Sequence, residues 1–126
     1  MKFQDLLAYK KSVDLAMDIY FTSKSSFPKE ETYSLTDQIR RSSRSVAANI
    51  AEAYRKRIYP KSYQSKLTDS DSENSETQTW LEFAFKCEYI SNEIYQNLYN
   101  RSEEIGKLIN YMILHPEKFG VKPDKN

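Results

Sequence analysis

Residues 4–22 open the chain with Leu6, Tyr9, Val13, Ala16 and Tyr20 at alternating spacings of three and four, the period of an amphipathic helix seam. Leu15 and Ile19 fall roughly opposite Val13 at about 100° per residue, so this helix is expected to carry a second packing surface. Ser23 to Tyr33 holds Pro28 and no apolar period, and reads as a connection. Ser34 is the expected N-cap of a second helix, with Asp37 adding negative charge to its first turn. Leu35, Ile39, Val46, Ile50 and Tyr54 form its seam, and Pro60 disfavours helix at Tyr59, so it ends near Ile58.

The third segment, 61–89, begins with Tyr63 and Leu67 and then runs through TDSDSENSETQT, residues 68–79, without one apolar residue. Ser, Asp and Asn prefer caps and turns, which would allow a break near 70–75; a continuous helix is the favoured reading. Trp80, Leu81, Phe83, Ala84, Phe85 and Cys87 follow, apolar almost all round, as expected where neighbours cover several sides. Ser91 caps a fourth helix whose seam is Ile94, Leu98, Ile105, Leu108 and Met112, ending before Pro116. Strand signals are absent. The expected architecture is all-α: an antiparallel up-down four-helix bundle over residues 1–115, then a mobile tail, 116–126, carrying Lys118, Lys122 and Lys125. Apolar residues left over on the first and third helices predict a homo-oligomer.

Charge changes this picture more than composition does. The 126 residues carry a net charge of +1, but residues 40–66 hold Arg40, Arg41, Arg44, Arg55, Lys56, Arg57, Lys61 and Lys66 against Glu52 alone, a local +7. Residues 67–104 hold nine acids against Lys86 and Arg101. Such polarity suits steering of a charged partner or head-to-tail contact between copies of the chain. The two glycines, Gly106 and Gly120, exclude a phosphate-cradling P-loop and a dinucleotide fingerprint. With no signal peptide, no span of about 20 apolar residues and one cysteine, the chain is expected to be cytoplasmic and not membrane-bound.

Catalytic chemistry finds little support. His115, the sole histidine, lacks the Glu three residues earlier that a di-metal bundle needs. Asp69, Asp71 and Glu73 imitate the start of a calcium loop, but Asn74 replaces the turn glycine and Trp80 the bidentate Glu. Cys87, within an apolar stretch, reads as buried packing. No enzyme activity, metal or cofactor is expected.

Two constellations remain. Gln38, Arg41, Ser45, Asn49 and Glu52 form a polar stripe on the second helix, with Glu76 and Gln78 as partners on the third, and Arg41 to Glu76 as the preferred pair. This reads first as an interhelical or intersubunit network and second as a ligand or partner site. The run from Tyr54 to Tyr63 interleaves Arg55, Lys56, Arg57 and Lys61 with Tyr59 and Tyr63, a combination that can neutralise phosphates and stack on unpaired bases. The other reading is a solvated basic loop, facing water or the acidic third helix of a neighbouring subunit.

LTDQIRRSSRSVAANIAEAYRKR, residues 35–57, resembles the signature of four-helix-bundle proteins encoded in intervening sequences of bacterial 23S ribosomal RNA genes. Gln38, Arg40, Arg41, Ser45, Asn49, Ile50, Ala51 and Glu52 carry the match, and FPKEETYSL and ETQTWLEFA resemble flanking family blocks. The chain departs from the common pattern at Ala53, where many members have Gly, and at Asp71 to Glu73. The resemblance implies a non-enzymatic bundle that assembles as a ring-like pentamer. It also points to a related branch, accessory proteins of diversity-generating retroelements, which engage a reverse transcriptase and its template RNA. The expected function is therefore a homo-oligomeric scaffold. Its Arg40, Arg41, Arg44, Arg55, Lys56, Arg57 and Lys61 offer a face to RNA or to a reverse-transcriptase-like protein. The alternative is a purely structural, self-assembling protein with no nucleic-acid ligand.

Overall fold

Helices α1 (Leu7–Ser26), α2 (Leu35–Arg55), α3 (Pro60–Lys86) and α4 (Asn92–Leu114) run through the computed structural model, which describes residues 1–123. Short 3-10 turns at Phe3–Asp5, Lys29–Glu31 and Pro116–Phe119 flank them, and no strand occurs among the described residues. Each helix packs on the next, and α4 closes back on α1. Ile19, Ile39, Ile50, Leu67, Leu81, Ile105 and Ile109 fill the space between them. No helix among the described residues is long and apolar enough to cross a membrane.

The inner face of α1 differs from the expected seam. Ala8, Ser12, Leu15, Ala16, Ile19 and Ser23 are buried, while Tyr9, Val13 and Tyr20 lie half-buried at its margin. Leu15 and Ile19, expected on a second surface, are the core. The periodicity misleads because two serines belong to the buried face. Ser12 Oγ donates to the Ala8 carbonyl at 2.7 Å and Ser23 Oγ to the Tyr20 carbonyl at 2.9 Å, so each hydroxyl is satisfied on its own helix. Leu7, Met17 and Phe21 are the apolar residues left outside.

The same device explains α3, which is continuous through its polar middle. Ser70, Asn74 and Thr77 are buried there, and each is matched across a helix interface. Ser70 Oγ donates to the Val46 carbonyl at 2.8 Å, Thr77 Oγ1 shares a 2.8 Å hydrogen bond with Ser42 Oγ, and Asn74 engages Ser102 twice at 2.9 Å. No buried side-chain polar atom among the described residues lacks a partner. A polar helix middle is thus stable because its donors and acceptors meet in register.

Pro60 occupies the first turn of α3, and Ser91 Oγ accepts from the Ile94 amide at 3.1 Å at the start of α4. Ser34 does not cap α2. Its φ/ψ of −127°/−100° lies outside the extended region an N-cap uses, and its hydroxyl donates to Glu31 Oε1 at 2.6 Å. The same Glu31 oxygen accepts from the Leu35 amide at 3.3 Å, while Glu31 Oε2 accepts from the Tyr89 hydroxyl at 2.8 Å. The hydrogen bonds from Ser34 and then Tyr89 hold the Glu31 carboxyl below its usual range, and the bond to Glu31 pushes the Tyr89 phenol up to about 12. One carboxylate therefore ties the α1–α2 connection to the end of α3.

The segment expected to leave the bundle at 116 instead turns back onto it. Pro116–Phe119 forms a 3-10 turn that ends at Gly120 in the left-handed region, φ 83°, and Val121 is buried in the core. The remainder of that expected tail, 124–126, including Lys125, lies outside the described residues. Cys87 is another correction. It follows the last turn of α3 and is exposed, because the helix stops at Lys86 before the chain turns inward at Ile90.

Candidate functional site

Residues 40–66 do not make one basic face: helical geometry distributes them over three places. Arg41 points toward α3, where it forms ion pairs with Glu76 at 2.5 Å and Glu73 at 3.2 Å. Gln38 Oε1 accepts from Arg41 Nε at 3.5 Å, and Trp80 Nε1 donates to Glu76 Oε1 at 3.3 Å. The Arg41–Glu76 pair singled out in the sequence thus forms, with Glu73 and Trp80 as further members. Arg41 is neutralised by this acidic pair and offers little net charge to a ligand.

The rest of the expected polar stripe does not join that cluster. Asn49 Nδ2 donates to the Ser45 carbonyl at 2.9 Å, which turns the Asn49 amide back onto its own helix. Glu52 pairs with Lys56 at 3.4 Å and Lys66 at 3.6 Å. Gln78 faces the other way, its Nε2 donating to Ser102 Oγ on α4 at 3.0 Å. Spacing put these residues near one another along the chain, but α3 spends Glu76 toward α2 and Gln78 toward α4 because they are two positions apart on a helix.

The Arg41 hydrogen bond is the main reason the Glu76 carboxyl titrates below its ordinary value. A depressed carboxylate contributes stability that is present above its unfolded value, near 4.3, and is lost as pH falls through the folded one. Both partners are substantially exposed, so the contribution is about 0.5 kcal/mol. Unfolding in urea at pH 7 and at pH 3 should therefore show a smaller acid-induced loss in Glu76→Gln than in the parent chain, by about that amount. An equal loss in both would remove Glu76 from the account.

Arg40, Arg44 and Arg55 make no ion pair among the described residues, and aromatic rings position them instead. The Arg40 guanidinium lies 4.5 Å and that of Arg44 5.7 Å from the Tyr20 ring centroid, and Arg40 Nε donates to Ser23 Oγ at 2.9 Å. Arg55 sits 5.4 Å from the Phe3 ring centroid. Arg44, Ala48 and Arg55 are exposed along one outward line of α2, with Arg40 and Ala51 half-buried beside it. At about 1.5 Å per residue, Arg40 to Arg55 spans about 22 Å. Tyr20, Phe3 and Ser23 were not legible as parts of this arrangement, since no spacing in the sequence links them to α2.

The third place is the α2–α3 connection. Arg57 Nε donates to the Tyr54 carbonyl at 2.7 Å and Nη1 to the Phe119 carbonyl at 3.5 Å, with its guanidinium 3.7 Å from the Tyr54 ring centroid. It closes the end of α2 and holds the returning C-terminal segment, a structural duty. Tyr63, expected to stack on bases, is buried and donates its hydroxyl to the Met112 carbonyl at 2.9 Å, and burial pushes its phenol well above the ordinary value. Tyr59 and Lys61 are exposed.

A family model described as 23S rRNA-intervening sequence protein matches residues 4–111. Among solved structures, the chain is similar to a protein of unknown function from the S23 ribosomal protein family of Bacteroides thetaiotaomicron. The two share 32% sequence identity with a TM-score of 0.78, over 90% of this chain and 99% of that one. No curated protein matches the sequence.

Proposed function

Because the chain belongs to the 23S rRNA-intervening sequence protein family, we propose that it is a non-enzymatic, homo-oligomeric scaffold that binds single-stranded RNA in the cytoplasm. The observation that carries the RNA reading is the line of Arg40, Arg44 and Arg55. These guanidiniums have no carboxylate partner among the described residues, while Arg41, Lys56 and Lys66 on the α3 side are matched with acids. Phosphate neutralisation needs cations that are not already spent, and small Ala48 and Ala51 between them let a backbone approach the helix.

The scaffold reading draws on two further features. Cross-helix partners run in opposite sequence directions, Lys11 with Glu104 and Asp18 with Arg101, Ser42 with Thr77 and Val46 with Ser70, as in an antiparallel up-down bundle. Leu7, Met17, Phe21, Phe83 and Ile94 remain exposed once the four helices have closed, apolar surface suited to contact between copies in a pentamer.

Light scattering on the chain with a single-stranded oligoribonucleotide, at low and then high salt, tests both parts. The expected result is a pentamer that gains mass with RNA at about 50 mM salt and loses it near 500 mM, because counterions compete for the phosphates. A pentamer indifferent to RNA at every salt overturns the RNA reading and leaves a purely structural, self-assembling protein. A monomer overturns the scaffold.

A further inference from the structure

Beside the end of α2, the N-terminal turn borders an open cavity of about 430 Å³ lined by Met1, Lys2, Phe3, Gln4, Tyr54, Arg55 and Arg57. Three of these side chains are cationic and two aromatic, and none carries a carboxylate. The walls are held in place. Phe3 packs edge-on against Tyr9 with ring centroids 5.1 Å apart, and the Tyr54 hydroxyl donates to the Met1 carbonyl at 3.5 Å. Asp5, in the same turn, is not among the lining residues, and its Oδ2 accepts from the Lys2 amide at 2.9 Å.

The cations differ in how far they are committed. Arg57 spends two N–H groups on the Tyr54 and Phe119 carbonyls, which fixes a guanidinium at the wall without a compensating negative charge. Arg55 is exposed, lies against the Phe3 ring and makes no ion pair among the described residues. A fixed guanidinium and an uncommitted one, with Lys2 also in the lining, are a set of donors for a doubly charged oxyanion. The cavity is much larger than one phosphate, and half-buried Phe3 gives it an apolar wall that a free inorganic anion would leave unused, while the Tyr54 ring is buried beneath Arg57.

We propose that this cavity binds a nucleoside 5′-monophosphate unit, its phosphate on Arg55, Arg57 and Lys2 and its base or sugar against Phe3. The unit is either a free nucleotide or the 5′-phosphorylated end of an RNA chain. The second source deepens the RNA reading and rests on it.

Calorimetric titration of the whole chain with adenosine 5′-monophosphate, adenosine and inorganic phosphate tests the site. The monophosphate should bind about tenfold tighter than either fragment, and Arg55→Ala and Lys2→Ala should each weaken it by about tenfold. Arg55→Lys, which keeps the charge but loses the fork, should recover part of that loss, and Lys107→Ala, on exposed α4, should change nothing. Failure of the monophosphate to bind, or binding untouched by Arg55→Ala and Lys2→Ala, overturns the proposal. Oligoribonucleotides with and without a 5′-phosphate separate the sources: a preference for the phosphorylated end assigns the site to RNA, and equal affinities assign it to free nucleotide. Salt-sensitive oligonucleotide binding without monophosphate binding sinks the cavity and spares the RNA reading, and the converse sinks the RNA reading and spares the cavity.

Discussion

Replacing Asn74 by Ala is expected to lower the unfolding free energy by about 3 kcal/mol, a large share of the stability of a small domain. Asn74 is 3% exposed and Ser102 0% exposed, at the centre of the α3–α4 interface. The amide donates to the Ser102 carbonyl and accepts from its hydroxyl, each at 2.9 Å, while Gln78 donates to the same hydroxyl at 3.0 Å. Truncation removes both Asn74 bonds, strands the hydroxyl proton in a dry interface and leaves a void beside Gly106, whose missing Cβ would lie 3.3 Å from Asn74 Nδ2. Ser102→Ala should cost less, about 1 to 2 kcal/mol, because it deletes a smaller group. The two changes together should cost less than their sum, since the second removes a group the first had orphaned. Urea unfolding of the four chains measures this. An Asn74→Ala loss below about 0.5 kcal/mol would mean that water replaces the amide and that the polar layer is not what aligns α3 with α4.

Reversing the charge of two outward arginines, Arg44→Glu with Arg55→Glu, is expected to weaken single-stranded RNA binding by about a hundredfold at 50 mM salt. It should also flatten the dependence of log affinity on log salt by roughly one to two, at about 0.7 per phosphate contact on a single strand. The same chain should unfold within about 0.5 kcal/mol of the parent, because both side chains are exposed and neither holds backbone. Arg57 is unsuited to this test despite its place in the basic run. Its two carbonyl contacts close α2 and the C-terminal turn, so a reversal there would confuse lost binding with lost structure. Fluorescence anisotropy with a labelled oligonucleotide gives affinity and slope together, and an unchanged slope would remove these arginines from any RNA path.

The helices, the Ser91 cap and the Arg41–Glu76 pair were all legible, because each rests on local spacing or on charge placed at a fixed helical offset. What sequence could not convey was which small polar residues lie inside. Ser12 and Ser23 rotate the buried face of α1 toward Leu15 and Ile19, and Ser70, Asn74 and Thr77 carry α3 through what looks like a turn. The three α3 residues depend on partners 24 to 35 positions away, Val46, Ser102 and Ser42, and no periodicity encodes such pairings. The candidate site was half legible for the same reason. Arginine positions were visible, but their division into neutralised Arg41, structural Arg57 and outward Arg44 and Arg55 depends on which neighbour each helix face meets.

Cys87, the single thiol of the chain, stands exposed just beyond α3, whose 27 residues at about 1.5 Å each carry it some 40 Å from the α2–α3 connection. Phe3 beside Arg55 and the Phe119 carbonyl on Arg57 both lie at that connection, next to the cavity lined by Lys2, Arg55 and Arg57. A maleimide dye on Cys87 would report from the opposite end without an engineered handle. In an assembly it would supply one fluorophore per subunit, and stepwise photobleaching would then count the copies directly.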